Sequence, residues 1–140
     1  MREILFRGKK CINDEWIEGL FVEDKEFYGV PDNHAYIVEH KHPSGCFGSD
    51  IYFEVDPETV GQYTGLTDKN GTKIFEGDIV KLRLLAAKME RKGVCEYRNG
   101  AFGLAWQYAG ERYCTFAGTC NAEYEVLGNI HDNPELMEDE

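Results

Sequence analysis

Short runs of β-branched and aromatic residues recur along this chain, separated by clusters of Gly, Pro, Asn, Asp and Ser, the pattern of strands between turns. Residues 3–7 and 15–22 predict a first hairpin, joined through the polar Lys9-Lys10 and Asn13-Asp14. In its second arm Trp16, Glu18, Leu20 and Val22 take one face, and Ile17, Gly19 and Phe21 the other. Apolar residues on both faces predict that both are partly covered. Further strands are expected at Phe27–Val30, Ala35–Val38 and Ile51–Val55, divided by Pro31-Asp32-Asn33, Pro43-Ser44-Gly45 and Gly48-Ser49-Asp50. Asp56-Pro57-Glu58-Thr59 reads as a helix start, with Asp as cap and Pro in the first turn, cut to about one turn by Gly61.

The block from Glu58 to Val80 encodes geometry more than chemistry. Gly61, Gly65, Gly71 and Gly77 each stand where a β-prone run must end or turn, and Val60, Tyr63, Leu66, Ile74, Phe75, Ile79 and Val80 suit a half-buried pleated surface. Asp68-Lys69-Asn70-Gly71 predicts a tight turn, with Asn70 and Gly71 tolerant of positive φ, and Gly77-Asp78 interrupts a strand over 73–82. Residues 84–92 are the most helix-prone stretch, readable as a short helix or as a long loop. A hairpin follows, Gly93–Tyr97 and Ala101–Trp106 around Asn99-Gly100, then strands at Arg112–Phe116 and Glu123–Ile130. The pattern predicts a mainly β chain: an N-terminal β-hairpin and strand region (1–60) packed on or extending a small SH3-like β-barrel (61–132). A short acidic tail (133–140) opens on one helical turn at Asn133–Leu136. Barrel closure hides edges that short strands otherwise expose.

Three segments carry a resemblance: Arg2-Glu3-Ile4-Leu5-Phe6-Arg7, the block at 58–80, and Tyr124-Glu125-Val126-Leu127-Gly128-Asn129-Ile130-His131-Asp132-Asn133-Pro134-Glu135-Leu136. In that order they resemble the YopX family, small proteins encoded by bacteriophages and prophages. The match is weakest at 23–55 and 83–92. The resemblance implies a phage or prophage origin, a β-rich fold and self-association. It implies no reaction and carries over no catalytic residue.

Composition narrows the functional classes. With 42% hydrophobic and 13% aromatic residues in 140, the chain can bury a core, which excludes disorder over most of its length. A net charge of −11 disfavours nucleic acid unless the basic residues gather on one face, and the available clusters, Lys9-Lys10 and Arg83 through Lys92, are short. Five cysteines (11, 46, 95, 114 and 120) form an odd set, and no apolar leader or membrane-length run accompanies them. Reduced thiols in the cytoplasm of a bacterial host are the expectation, with Cys95 and Cys114 as small core residues.

Candidate chemistry is sparse. His34, His40, His42 and Cys46 are the one cluster of metal-capable side chains, but their spacing does not match the paired ligands of a zinc site, and surface histidines are the plainer reading. Asp68–Gly71 superficially resembles a calcium loop, but its glycine comes too early and the twelfth position is Ile79. Glu76 and Asp78 flank a glycine, where an Asp capping its own turn outweighs an acid/base pair. The glycines of the block lead into a strand rather than a helix, so they cradle no phosphate. Tyr63, Tyr97, Phe102, Trp106 and Tyr108 surround the expected barrel; most should be core, and any exposed ones would form a groove for a peptide or for bases. No metal, cofactor, catalytic residue or membrane segment is expected.

The leading expectation is a non-enzymatic phage or prophage accessory protein acting through protein contacts as a homo-oligomer, with a host or phage protein as a possible partner. Its rival is a nucleic-acid-related role, by single-strand binding on the barrel or by acidic mimicry of DNA. A metal-dependent hydrolase ranks last.

Overall fold

The computed structural model describes residues 3–24, 34–40, 50–107, 110–116 and 122–138. The expected strand at Phe27–Val30 and the acidic end at 139–140 lie outside them. The chain divides into two units, Met1–Tyr63 and Thr64–Glu140.

In the first unit β1 (Phe6–Lys9), β2 (Trp16–Asp24), β3 (His34–His40) and β4 (Asp50–Val55) pair antiparallel in the order β4-β3-β2-β1, and the first residues of β5 (Gly61–Thr67) add to β1. The register sets Gly8 against Ile17, Phe21 against Ile37 and Ile37 against Phe53. One face thus gathers Ile17, Ala35, Ile37 and Val55 into a core, with Phe6, Phe21, Phe53 and Val60 around it. Alternation along β2 puts position 19 on that face, and glycine fits there because a Cβ would collide with the carbonyl oxygen of Val38. Lys10 bridges Val55, with Cys11 N–H donating to Glu54 O (3.0 Å) and Asp56 N–H to Lys9 O (2.9 Å), so the end of β1 is tied to the end of β4. The expected helix start is one 3-10 turn, Pro57–Thr59, whose cap Asp56 accepts from Glu58 N–H at 3.0 Å.

In the second unit β6 (Lys73–Phe75), β7 (Asp78–Leu84), β8 (Met89–Arg98), β9 (Ala101–Gln107), β10 (Glu111–Thr115) and β11 (Ala122–Asn129) follow. Five of them form an antiparallel sheet ordered β10-β9-β8-β7-β11. Ile74, Val80, Leu82, Cys95 and Leu104 make its core, flanked by Leu84, Trp106, Phe116, Ala122, Tyr124 and Val126. Residues 84–92 are neither helix nor long loop: β7 and β8 stay paired out to Leu84 and Met89, and Leu85–Lys88 is the turn between them, with Lys88 at φ 51°. An isolated helix of nine residues is marginal, so ladder pairing on both sides overrides local propensity.

The chain is mainly β and built on two antiparallel sheets. The order of the second sheet is linear, with β10 and β11 at opposite edges and no pairing between them among the described residues. The expected SH3-like closure therefore does not follow from the pairings.

Turn chemistry accounts for the central block. Gly71 (φ 83°) and Gly77 (φ 88°) occupy the left-handed region, where a Cβ is strained. Asn99 (φ 53°) and Gly100 (φ 83°) turn the β8–β9 hairpin, and Gly65 has φ 89°. Gly61 instead opens β5, opposite Arg7.

Candidate functional site

The groups most capable of chemistry are mostly tied into backbone. Asp68, 7% exposed, accepts from Asn70 and Thr72 N–H through Oδ1 and from Val126 N–H through Oδ2, each at 2.9 Å. Burial works to raise its pKa, but these three donors and Lys69 prevail and hold the carboxyl below its ordinary value. Asp78, 1% exposed, accepts from Phe75 N–H at 2.8 Å and so caps the turn after β6. Asn129 does the same for the C-terminal motif: its Oδ1 accepts from His131 (3.0 Å) and Asp132 (2.8 Å) N–H.

Of the histidine cluster, His34 lies 3.1 Å from Glu54 Oε1 through Nδ1. The side chain of His40, and His42 and Cys46 altogether, lie outside the described residues. Among the described residues no group of three or more His, Cys, Asp or Glu is placed to hold a metal. Cys11 is exposed, Cys95 buried and Cys114 half-buried. Desolvation raises the thiol pKa of both Cys11 and Cys114, with Glu54, Asp56 and Asp14 adding to the rise at Cys11. A raised thiol is a poorer nucleophile at neutral pH because less of it is thiolate. Cys120 lies outside the described residues.

The predicted aromatics do not form one surface. Tyr63 is 8% exposed. Tyr97 stands opposite Phe102 on β8 and β9, their rings edge-on at 5.0 Å, with Tyr97 57% exposed. Trp106 packs at the rim of the second core, and Tyr108 lies outside the described residues.

What sequence reading missed is a groove on the opposite face of β8 and β9. Val94, Glu96, Arg98 and Ala105 floor a cavity of about 660 Å³, and Ile130 and Met137 come to it from the C-terminal segment. Arg98 pairs with Glu96 at 2.7 Å, and its guanidinium lies 4.6 Å from the Tyr113 ring centroid. Tyr113 reaches across Gly103, where a side chain would strike its ring, and donates to Ala101 O at 2.9 Å. No local signal marks this groove: register unites β8, β9 and β10, and the motif at 128–133 brings up the C-terminal turn.

The first unit has a second exposed surface. Away from its core, β2 to β4 present Leu20 (52% exposed), Val22 and Tyr52 (61%) on one face, with Tyr36 half-buried beside Val22 in the register. The missing alternation in β2 is the sequence signal for it. On the same face Arg7 and Lys9 lie over the Trp16 ring, at 4.7 and 5.5 Å. No described helix is long and apolar enough to cross a membrane.

No curated protein matches this chain. Among solved structures, the crystal structure of protein EF1440 from Enterococcus faecalis is similar, with 23% identity, 98% of this chain and 99% of that chain covered, and a TM-score of 0.49. The profile of the YopX protein family matches residues 5–138, a span that contains both sheets and all three motif segments read from the sequence except Arg2-Glu3-Ile4. The chain belongs to the YopX family.

Proposed function

We propose that this protein is a non-enzymatic accessory protein of phage or prophage origin, working in the cytoplasm of a bacterial host through protein–protein contacts and as a homo-oligomer. The observation that carries the reading of a partner protein is the outer face of β2–β4. Leu20, Val22 and Tyr52 are exposed together on one side of a sheet whose other side is filled, and grouped apolar exposure of that kind marks interaction surfaces. Among the described residues Asp68 and Asp78 hold turns, and the Cys11 and Cys114 thiols are pushed up rather than down, which supports a role through contacts. We read the second unit as SH3-like in kind, a small five-stranded antiparallel unit serving as scaffold. The test is affinity capture from a prophage-carrying host alongside light scattering of the purified chain. Leu20→Asp with Tyr52→Asp should abolish capture of a partner while circular dichroism stays unchanged. Capture that survives the double substitution removes this face from the reading, and a monomer at tens of micromolar removes the homo-oligomer.

A further inference from the structure

Charge in this chain is segregated. Residues 81–92 hold five of its 15 basic residues and one of its 26 acidic ones, a net +4 against −15 for the rest. The fold buries Leu82 in the core and pairs Lys81 with Glu125 at 3.4 Å, and it leaves Arg83, the Leu85–Lys88 turn and Glu90 exposed at the tip of the β7–β8 hairpin. There Arg83, Leu85, Lys88 and Glu90 line a hollow of about 430 Å³, with Leu85 46% exposed and Arg83 only loosely paired to Glu90 at 3.9 Å. The first unit carries features of the opposite kind. Ile12, in the β1–β2 turn, is 88% exposed. Exposed Asp14 and Glu15 follow it, and the bond from Cys11 N–H to Glu54 O fixes this turn beside exposed Glu54, Asp56 and Glu58.

We infer that the β7–β8 tip of one copy receives the Ile12 turn of a second copy, with Ile12 seated in the hollow and Arg83 and Lys88 facing Asp14, Glu15 and Glu58. This rests on the homo-oligomer reading and names its surfaces. Contact of Ile12 with Leu85, the one apolar residue lining the hollow, supplies desolvation, and the unlike charges around them set orientation and speed encounter. The −15 balance outside the tip favours a copy of this chain over a phosphate backbone, which that charge repels. Two different patches meet, so two copies either exchange them about a two-fold axis or join head to tail, in a ring or a growing chain.

Sedimentation velocity of the full chain at tens of micromolar tests it. The wild type should sediment above the monomer and lose mass as salt rises. Ile12→Asp and Lys88→Glu should each sediment as monomers, with Arg83→Glu as a second tip variant; all three positions are exposed, so the far-UV spectrum should not change. An equimolar mixture of Ile12→Asp and Lys88→Glu should form dimers and nothing larger, because each copy keeps one intact half of the contact. Single variants that keep the wild-type mass overturn the assigned surfaces and leave self-association standing. A monomeric wild type at low salt overturns both. Retention of a monomeric wild type on single-stranded DNA, lost in Lys88→Glu, overturns the inference in favour of a phosphate partner.

Discussion

Asp68 shows how one side chain can organise a motif. Its carboxylate satisfies two donors within the Asp68–Thr72 turn and one from β11, while Lys69 N–H donates to Tyr124 O at 3.0 Å. Asp68→Ala should leave three backbone donors short of partners and cost about 2–3 kcal/mol, read as a lower urea midpoint. The pH dependence has a definite sign. The folded pKa lies below the unfolded one, so the stabilisation is fully present above the unfolded value, near 4, and is lost as pH falls through the folded pKa. Wild-type stability should therefore fall below about pH 4, and Asp68→Ala should lack that share of the acid loss. Gly71 presents the contrasting case. A Cβ there meets nothing within 4 Å, so only the φ of 83° resists substitution. Gly71→Val should cost about 1–2 kcal/mol through backbone strain alone, and an unchanged urea midpoint would refute the assigned strain.

The elements explain what was readable in the sequence. Asn99-Gly100, Asp68–Gly71 and Asp56-Pro57 are local turn signals, and each produced the turn it encodes because a few adjacent residues suffice: positive φ at Asn99, Gly100 and Gly71, and a capping carboxylate at Asp68 and Asp56. Leu84 through Lys92 misled for the same reason: helix propensity is local too, but β7 and β8 each had a long partner strand, and pairing won. The groove was invisible because its walls come from residues far apart in sequence. Tyr113, which braces β10 against β9 and β8, gives a check at this scale. Tyr113→Phe deletes the donor to Ala101 O but keeps the ring over Gly103 and under Arg98, and should cost about 1 kcal/mol. Gly103→Val pushes a side chain into that ring and into the carbonyl of Cys114, and should lower the melting temperature by more than Tyr113→Phe does.

At the scale of the whole molecule, one charge distribution acts in two opposing ways. A net −11 on 140 residues makes the folded chain repel itself, and added salt screens that repulsion. The contact between copies runs the other way, because it joins Arg83 and Lys88 at the tip to an acidic turn and screening weakens it. Raising salt from about 20 mM to about 200 mM shortens the Debye length from roughly 20 Å to below 10 Å, across the spacing of surface charges. In Lys88→Glu, which removes the contact, the melting temperature should therefore rise with salt over this range. The wild type combines that rise with the loss of whatever stability self-association confers by mass action, so its melting temperature should rise less, and the shortfall should grow with protein concentration. Thermal melts of both proteins at two concentrations and two salts separate the terms. Parallel salt responses at every concentration would show that the tip does not join copies, whatever else it meets.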